Sequence, residues 1–261
     1  MGWDWEPSVI IGCAALTIAY VALTCKRGLT GAPYFLAGVA LLLLDLVSPI
    51  DTLGDRYLFS AHIIQHFLLA LVIPPLLLLG TPRRLAAAAL ERPLLNRLER
   101  ILGQPPVSWL AGVGTMLIWH VPFLFNAALA NNGLHIFQHL TFLVTGTMSW
   151  WPILGPLKDR HLPTLAAVSY LFSACVCCSL LGAFLTFAPA RLYPAYLNPA
   201  DTLGILPLLR ENWGLDPKSD QQLGGLLMWV PGCFVYLAGI LFTVMRWYQA
   251  PAASNSRERT A

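Results

Sequence analysis

From Ile101 to Leu157 the chain holds no Asp, Glu, Lys or Arg. About a quarter of the residues of an ordinary soluble domain are charged, so a stretch of this length without charge points to a bilayer. A spanning helix takes about 20 mainly apolar residues. One helix cannot account for Ile101–Leu157, whereas two joined at the turn signal Asn131-Asn132-Gly133 can. The rest of the chain agrees: 57% of its 261 residues are hydrophobic, 11% are charged, and the mean hydropathy is +0.63. Seven apolar stretches emerge: Ser8–Cys25, Ala32–Ile50, Tyr57–Leu79, Val107–Ala130, Leu134–Leu154, Leu162–Ala188 and Gln221–Trp247. The expected fold is all-α, a polytopic membrane helix bundle with seven transmembrane helices in one domain over residues 1–250.

Loop charge sets the expected orientation. With the N-terminus outside and the C-terminus cytoplasmic, twelve of the 16 Lys and Arg fall on the cytoplasmic side: Lys26, Arg27, Arg83, Arg84, Arg92, Arg97, Arg100, Lys158, Arg160, Arg246, Arg257 and Arg259. Arg56, Arg191, Arg210 and Lys218 fall outside. Arg83–Leu102 mixes Arg, Glu, Leu and Ala around Pro93 and reads as an interfacial cytoplasmic segment. Residues 251–261 read as a disordered polar tail. The longest polar connection, Arg191–Asp220, is too short for a core of its own. Met1–Pro7 has no basic residue, which argues against a cleaved signal peptide. The six cysteines sit in apolar stretches, which argues against a disulfide framework.

His62 and His66 are four apart, as are His135 and His139, so each pair shares one helix face. Their settings match: His62-Ile63-Ile64-Gln65-His66 parallels His135-Ile136-Phe137-Gln138-His139. Both pairs lie near the outer ends of their spans. His120, followed by Pro122, lies in the outward half of the fourth span and makes a fifth member. Asp51, Asp220, Gln221 and Met228 fall near the same end, whereas His161 falls on the cytoplasmic side. Ionisable groups within spans are costly and tend to serve function. Neutral imidazole is the commonest side-chain metal ligand, and a set of them suits copper, zinc, iron or nickel. A bis-histidine haem is the main alternative, and the four-residue spacing leaves room for one at most. Cys175 and Cys178 share a face that suits a soft ion; packing competes as an explanation. Asp220 has a second reading as a helix N-cap. No nucleotide loop, nucleophile–base pair or hydrolase-like carboxylate pair is visible, so no enzymatic activity and no nucleic-acid partner are expected.

The sequence resembles the multi-span CtaG-type cytochrome c oxidase assembly factors. The matching residues are His62–His66 leading into Pro74-Pro75-Leu76-Leu77-Leu78-Leu79-Gly80, then Trp119-His120-Val121-Pro122 and Leu134-His135-Ile136-Phe137-Gln138-His139. Trp150-Trp151-Pro152-Ile153, Leu192-Tyr193-Pro194-Ala195-Tyr196 and Asp220-Gln221-Gln222-Leu223-Gly224-Gly225-Leu226-Leu227-Met228-Trp229 follow in order. The HxxQH pair and the DQQxxGGxxMW stretch are the specific ones. The family often has Met directly after the first histidine of HxxQH, where this chain has Ile63; a thioether is absent there. The first two spans carry no such motif and rest on hydropathy alone.

The resemblance implies a multi-pass protein of the bacterial inner membrane that helps build a haem–copper oxidase, at the stage of copper insertion. Oxidase subunits and other copper chaperones are the implied partners. The expected ligands are His62, His66, His135, His139 and His120, with Asp220, Gln221, Met228, Asp51, Cys175 and Cys178 as accessories. A site at the membrane edge, open for release, suits a carrier. The competing readings are a haem-binding electron carrier or quinone-linked redox protein and, third, a metal transporter.

Overall fold

Every regular element is helical in a computed structural model of the protein, which describes residues 3, 5–24 and 31–249. Cys25, Lys26, Arg27, Arg257, Arg259 and the expected tail lie outside the described residues. The helices are α1 (Pro7–Thr24), α2 (Ala32–Val47), α3 (Pro49–Arg56), α4 (Phe59–Phe67), α5 (Ile73–Gly80), α6 (Arg83–Leu90), α7 (Pro93–Leu102), α8 (Pro105–Trp119), α9 (Pro122–Ala130), α10 (Asn132–Leu154), α11 (Thr164–Phe187) and α12 (Pro217–Tyr248). A π-helical turn, Leu68–Val72, joins α4 to α5.

Four helical runs are long and apolar enough to cross a membrane: Pro7–Thr24, Phe59–Gly80, Thr164–Phe187 and Pro217–Tyr248. Two bent pairs raise the number to six: α2 with α3 at 49°, and α7 with α8 at 71°. The seven spans expected from the sequence are therefore not reached among the described residues. Of the seven expected stretches one is broken and another, α10, is left out of the six. The stretch Val107–Ala130 is two helices, broken at His120-Val121 because Pro122 excludes the residue before it from helical backbone; Val121 is extended at φ −62°, ψ 123°. And α10, with 23 residues and no charge, carries two histidines, two amide side chains and several hydroxyls that dilute its apolarity. The outer faces of α11 and α12 remain strongly apolar, exposing Phe172, Leu180, Phe184, Phe187, Val230, Phe234 and Leu237. A band of this kind suits lipid and suggests a membrane protein.

Prolines shape the other joints. Pro49 opens α3 after extended Ser48, whose hydroxyl accepts from the Ile50 N–H. Pro74 and Pro75 have no N–H to offer the carbonyls one turn before them. The chain absorbs this in the π turn, a feature often found near functional sites. There Gly146 of α10 packs against bare backbone: a Cβ on it would lie 2.7 Å from the Ala70 carbonyl oxygen. Small residues also bring α11 and α12 together. A Cβ on Gly225 would lie 2.4 Å from Thr186 Oγ1, and one on Gly182 would lie 2.8 Å from Trp229 Cβ.

Charge is sorted to the two ends. At one end, Arg83 pairs with Asp159 at 3.0 Å, Glu99 of α7 pairs with Arg160, and Trp151 donates to Glu99. Leu94, Leu95, Leu98, Ile101 and Leu102 of α7 are exposed, so this helix keeps an apolar stripe beside a charged one. At the other end the connection from α11 to α12 folds down on the bundle. It forms a small second core in which Leu209 packs with Tyr57, Leu58 and Ala61.

Candidate metal centre

The first two turns of α4 carry His62 and His66, and their position depends on how that helix begins. Leu58 stands at the N-cap and has no side-chain acceptor. The free N–H groups of Phe59 and Ser60 instead meet the carboxylate of Asp220, 160 residues away on α12, at 2.7 and 3.0 Å. The Ser60 hydroxyl donates to the same carboxylate at 2.5 Å. A carboxylate at a helix N-terminus satisfies orphan donors and complements the helix dipole. Asp220 is thus a cap, but of another helix; α12 itself is capped by Asp216, which accepts from the Lys218 and Ser219 N–H groups. These contacts, together with the Ser219 hydroxyl, hold the exposed Asp216 carboxyl below its usual range. Gln221 closes the opposite kind of helix end, donating to the carbonyls of Leu185 and Ala188 at 3.1 Å each where α11 stops. Asp220 and Gln221 therefore position helices rather than face the histidines.

The second pair follows the same logic locally. Asn131 caps α10 by accepting from the Leu134 N–H at 3.0 Å, which fixes His135 and His139 on its first two turns. The fifth histidine owes its place to Pro122. With α8 ended, His120 becomes its C-cap and its Nδ1–H donates to the Met116 carbonyl at 2.6 Å. That bond fixes the tautomer, so Nε2 keeps a free lone pair.

The five rings meet in the core. Centroids lie 4.3 Å apart for His62 and His66, 4.2 Å for His135 and His139, 5.2 Å for His62 and His135, 5.7 Å for His66 and His139, and 5.3 Å for His66 and His120. Two groups of potential ligand atoms lie within 4.8 Å of one another: His62, His66 and His139; and Asp55, His62 and His135. His62 belongs to both. Its ring is fully buried, and neither of its nitrogens makes a hydrogen bond of ordinary geometry. The same holds for both nitrogens of His66 and for Nε2 of His120, His135 and His139. Asp55 Oδ1 stands 3.5 Å from His135 Nε2, and its side chain, 32% exposed, is the most open part of the cluster. Buried polar groups are nearly always satisfied. Neutral imidazoles gathered in this way each keep one ring lone pair and could together hold a cation.

Aromatic rings wall and roof the site. Phe142 lies 4.2 Å from His66, and Phe125 lies 4.8 Å from His62. Over them, Tyr193 stacks on Phe59 at 4.6 Å and its hydroxyl donates to the His120 carbonyl at 2.8 Å. Tyr196 donates to the Gly54 carbonyl at 2.6 Å. Burial pushes both phenols upward, and Asp55 and Asp220 add to the effect at Tyr196, so both remain donors at physiological pH. The open membrane-edge site expected from sequence is therefore closed over by the connection between α11 and α12.

The other named residues disperse. Asp51 accepts from Gln65 Nε2 at 2.9 Å, which steadies α4, and it lies close enough to His135 for the two to interact. Met228 and Cys178 line a small cavity beneath His66 and His120. The Cys175 thiol faces Cys233 of α12 at 3.5 Å. His161 sits at the opposite end of the bundle, its Nε2–H donating to the Gly155 carbonyl and its Nδ1 meeting Arg246, both at 2.6 Å. Burial, with Arg246 acting in the same direction, holds its imidazole below the usual range. Asp55, Met116 and Phe125 were not singled out as site residues from sequence. Met116, four residues before His120, and Phe142, three after His139, had a periodic signal.

The cytochrome c oxidase caa3 assembly factor family (Caa3_CtaG) matches residues 25–250. Among curated proteins, the uncharacterized protein ML1998 of Mycobacterium leprae is 26% identical over 250 residues, covering 86% of this chain and 36% of the relative. The uncharacterized proteins Mb0105 of Mycobacterium bovis and MT0111 of Mycobacterium tuberculosis are each 26% identical over 279 residues, covering 97% of this chain and 41% of theirs. The chain thus spans about two fifths of the length of the curated relatives it matches. No solved structure matches.

Proposed function

The chain belongs to the cytochrome c oxidase caa3 assembly factor family, and on that premise we propose that it helps build a haem–copper oxidase by holding a copper ion in transit through its histidine cluster. The observation that carries the reading is the cluster itself: five imidazoles from α4, α8 and α10 converge, with their free nitrogens turned inward and no donors to meet them. Imidazole-rich sites suit copper, and a closed site under a loop suits an ion to be kept from other ligands until it is handed on. We place the protein in the bacterial inner membrane, with the N-terminus outside and α10 as an additional span that makes seven. The histidine end then faces the periplasm, toward the oxidase subunits and copper chaperones that are its proposed partners. The end-to-end sorting of charge supports this orientation.

The haem reading finds less support. Cofactor pockets run to hundreds of Å³, whereas the cavity beside His66 and His120 is about 20 Å³. The test is metal content by mass spectrometry on protein purified from copper-replete cells. One or two copper ions per chain are expected, and His66→Ala with His139→Ala should abolish binding and impair oxidase assembly. Normal oxidase assembly in the double variant would refute the proposal.

A further inference from the structure

Beneath the histidines the chemistry of the wall changes. The cavity of about 20 Å³ is lined by His66 and His120 on one side and by Met116, Met228 and Cys178 on the other. Its volume suits a single water-sized occupant. Met116 comes from α8, Met228 from α12 and Cys178 from α11, so three helices bring sulfur-bearing residues to the lining of one cavity, among apolar neighbours such as Ile63 and Leu71. Each of the three is at least nine-tenths buried. Packing alone would explain apolar residues here. It does not explain why the imidazole nitrogens of His66 and the Nε2 of His120, also buried, stay without partners at the cavity's edge.

We propose that this cavity is a second metal station, selective for a soft monovalent ion of the Cu(I) type; it rests on the metal-handling reading of the histidine cluster and adds the charge state to it. Thioether sulfur selects soft ions, whereas carboxylate and imidazole also hold divalent ones. Charge points the same way. The cost of burying an ion rises with the square of its charge, and the inner cavity offers only neutral donors, two thioethers and imidazole, while the Cys178 thiol keeps its proton by donating to the Met228 carbonyl at 3.5 Å and stands beside the ion rather than on it. The outer end offers the partly exposed Asp55 carboxylate beside His135. Ring neighbours connect the two, from His135 to His62 at 5.2 Å, His62 to His66 at 4.3 Å and His66 to His120 at 5.3 Å. The chain therefore grades from a hard, open end to a soft, closed one. Thioethers absent from the first HxxQH motif, where Ile63 stands, are supplied here from α8 and α12.

The experiment uses the full-length protein in detergent, with Ag(I) as a redox-inert substitute for Cu(I) and Zn(II) as the divalent probe. Wild type should bind Ag(I) with sulfur in its coordination shell by X-ray absorption. The M116L/M228L variant, close in volume, should lose that sulfur signal and weaken Ag(I) by at least about tenfold, the low end of what disturbing a metal site costs; Zn(II) affinity should hold. H62A/H135A should do the reverse, losing Zn(II) and keeping Ag(I). An Ag(I) shell of nitrogen and oxygen alone in wild type overturns the inner station, whatever the variants do. So does Ag(I) affinity unchanged in M116L/M228L. Binding of neither ion by wild type would overturn the metal-handling reading as a whole, and is distinguishable because Zn(II) is then lost too.

Discussion

Removing the carboxylate at position 220 should unseat the helix that carries His62 and His66. In wild type that carboxylate accepts from two backbone N–H groups, at 2.7 and 3.0 Å, and from the Ser60 hydroxyl at 2.5 Å. Asp220 is 1% exposed, so water cannot replace it. Asp220→Ala leaves two buried N–H groups unmet. At about 1–3 kcal/mol for each unsatisfied group, less what local relaxation recovers, the loss should be about 2–5 kcal/mol, at or above the top of the 0.5–2 kcal/mol of an ordinary exposed cap. Asp220→Asn keeps one acceptor and should lose about half as much. Ser60→Ala removes one hydroxyl donor and should cost about 1 kcal/mol. Because the two residues share a bond, the double variant should fall short of additivity by about 0.5–3 kcal/mol. The assay is denaturation in detergent followed by circular dichroism, with metal affinity measured on the folded fraction. Stability within about 0.5 kcal/mol of wild type, the range of an ordinary surface change, would refute the capping argument. Lost metal binding at full stability would instead make Asp220 a ligand.

Other changes test other joints. Gly225→Ala puts a methyl 2.4 Å from Thr186 Oγ1 and should destabilise by about 1–3 kcal/mol as overpacking does, whereas Gly12→Ala, inside α1 with nothing within 4 Å, should not destabilise and should gain up to about 1 kcal/mol of helix propensity in the same thermal melt. Tyr193→Phe keeps the stack on Phe59 but leaves the His120 carbonyl without its donor; a loss of about 0.5–1.5 kcal/mol is expected, with faster exchange of bound metal measured by stopped-flow chelation. At the other end His161 is held neutral, its folded pKa below the ordinary 6.5. The unfolded chain therefore takes up the proton first, and stability should fall as pH drops through and below 6.5. His161→Asn should flatten that part of the pH profile of the melting temperature; an unchanged profile would mean His161 contributes nothing to it.

Much of the centre was legible along the chain. Two HxxQH stretches put their imidazoles on one face by helical period alone, whereas the break before Pro122 that sets His120 lies inside what reads as one span, Val107–Ala130. Asn131 announced the start of α10. Asp220 and Gln221 were legible as polar residues at a helix start but not as caps for α4 and α11, because their partners lie 160 and more than 30 residues away. The roof formed by Tyr193 and Tyr196 was illegible for the same reason: nothing local says that a polar connection folds back over a core. The shared face of Cys175 and Cys178 was legible from their spacing, but not that Cys233 of α12 stands beside Cys175.

By itself the sequence determined that the chain is helical and apolar and that its histidines come in facing pairs. These are consequences of composition and of a 3.6-residue period, both local. Tertiary structure alone decided which faces meet, how the histidines of three helices become one cluster, and that sulfur lies beneath it. Lipid is as apolar as a leucine side chain, so burying apolar surface does not choose partners among membrane helices. That choice rests on glycines that let backbones touch and on polar groups that reach across to satisfy another helix's ends.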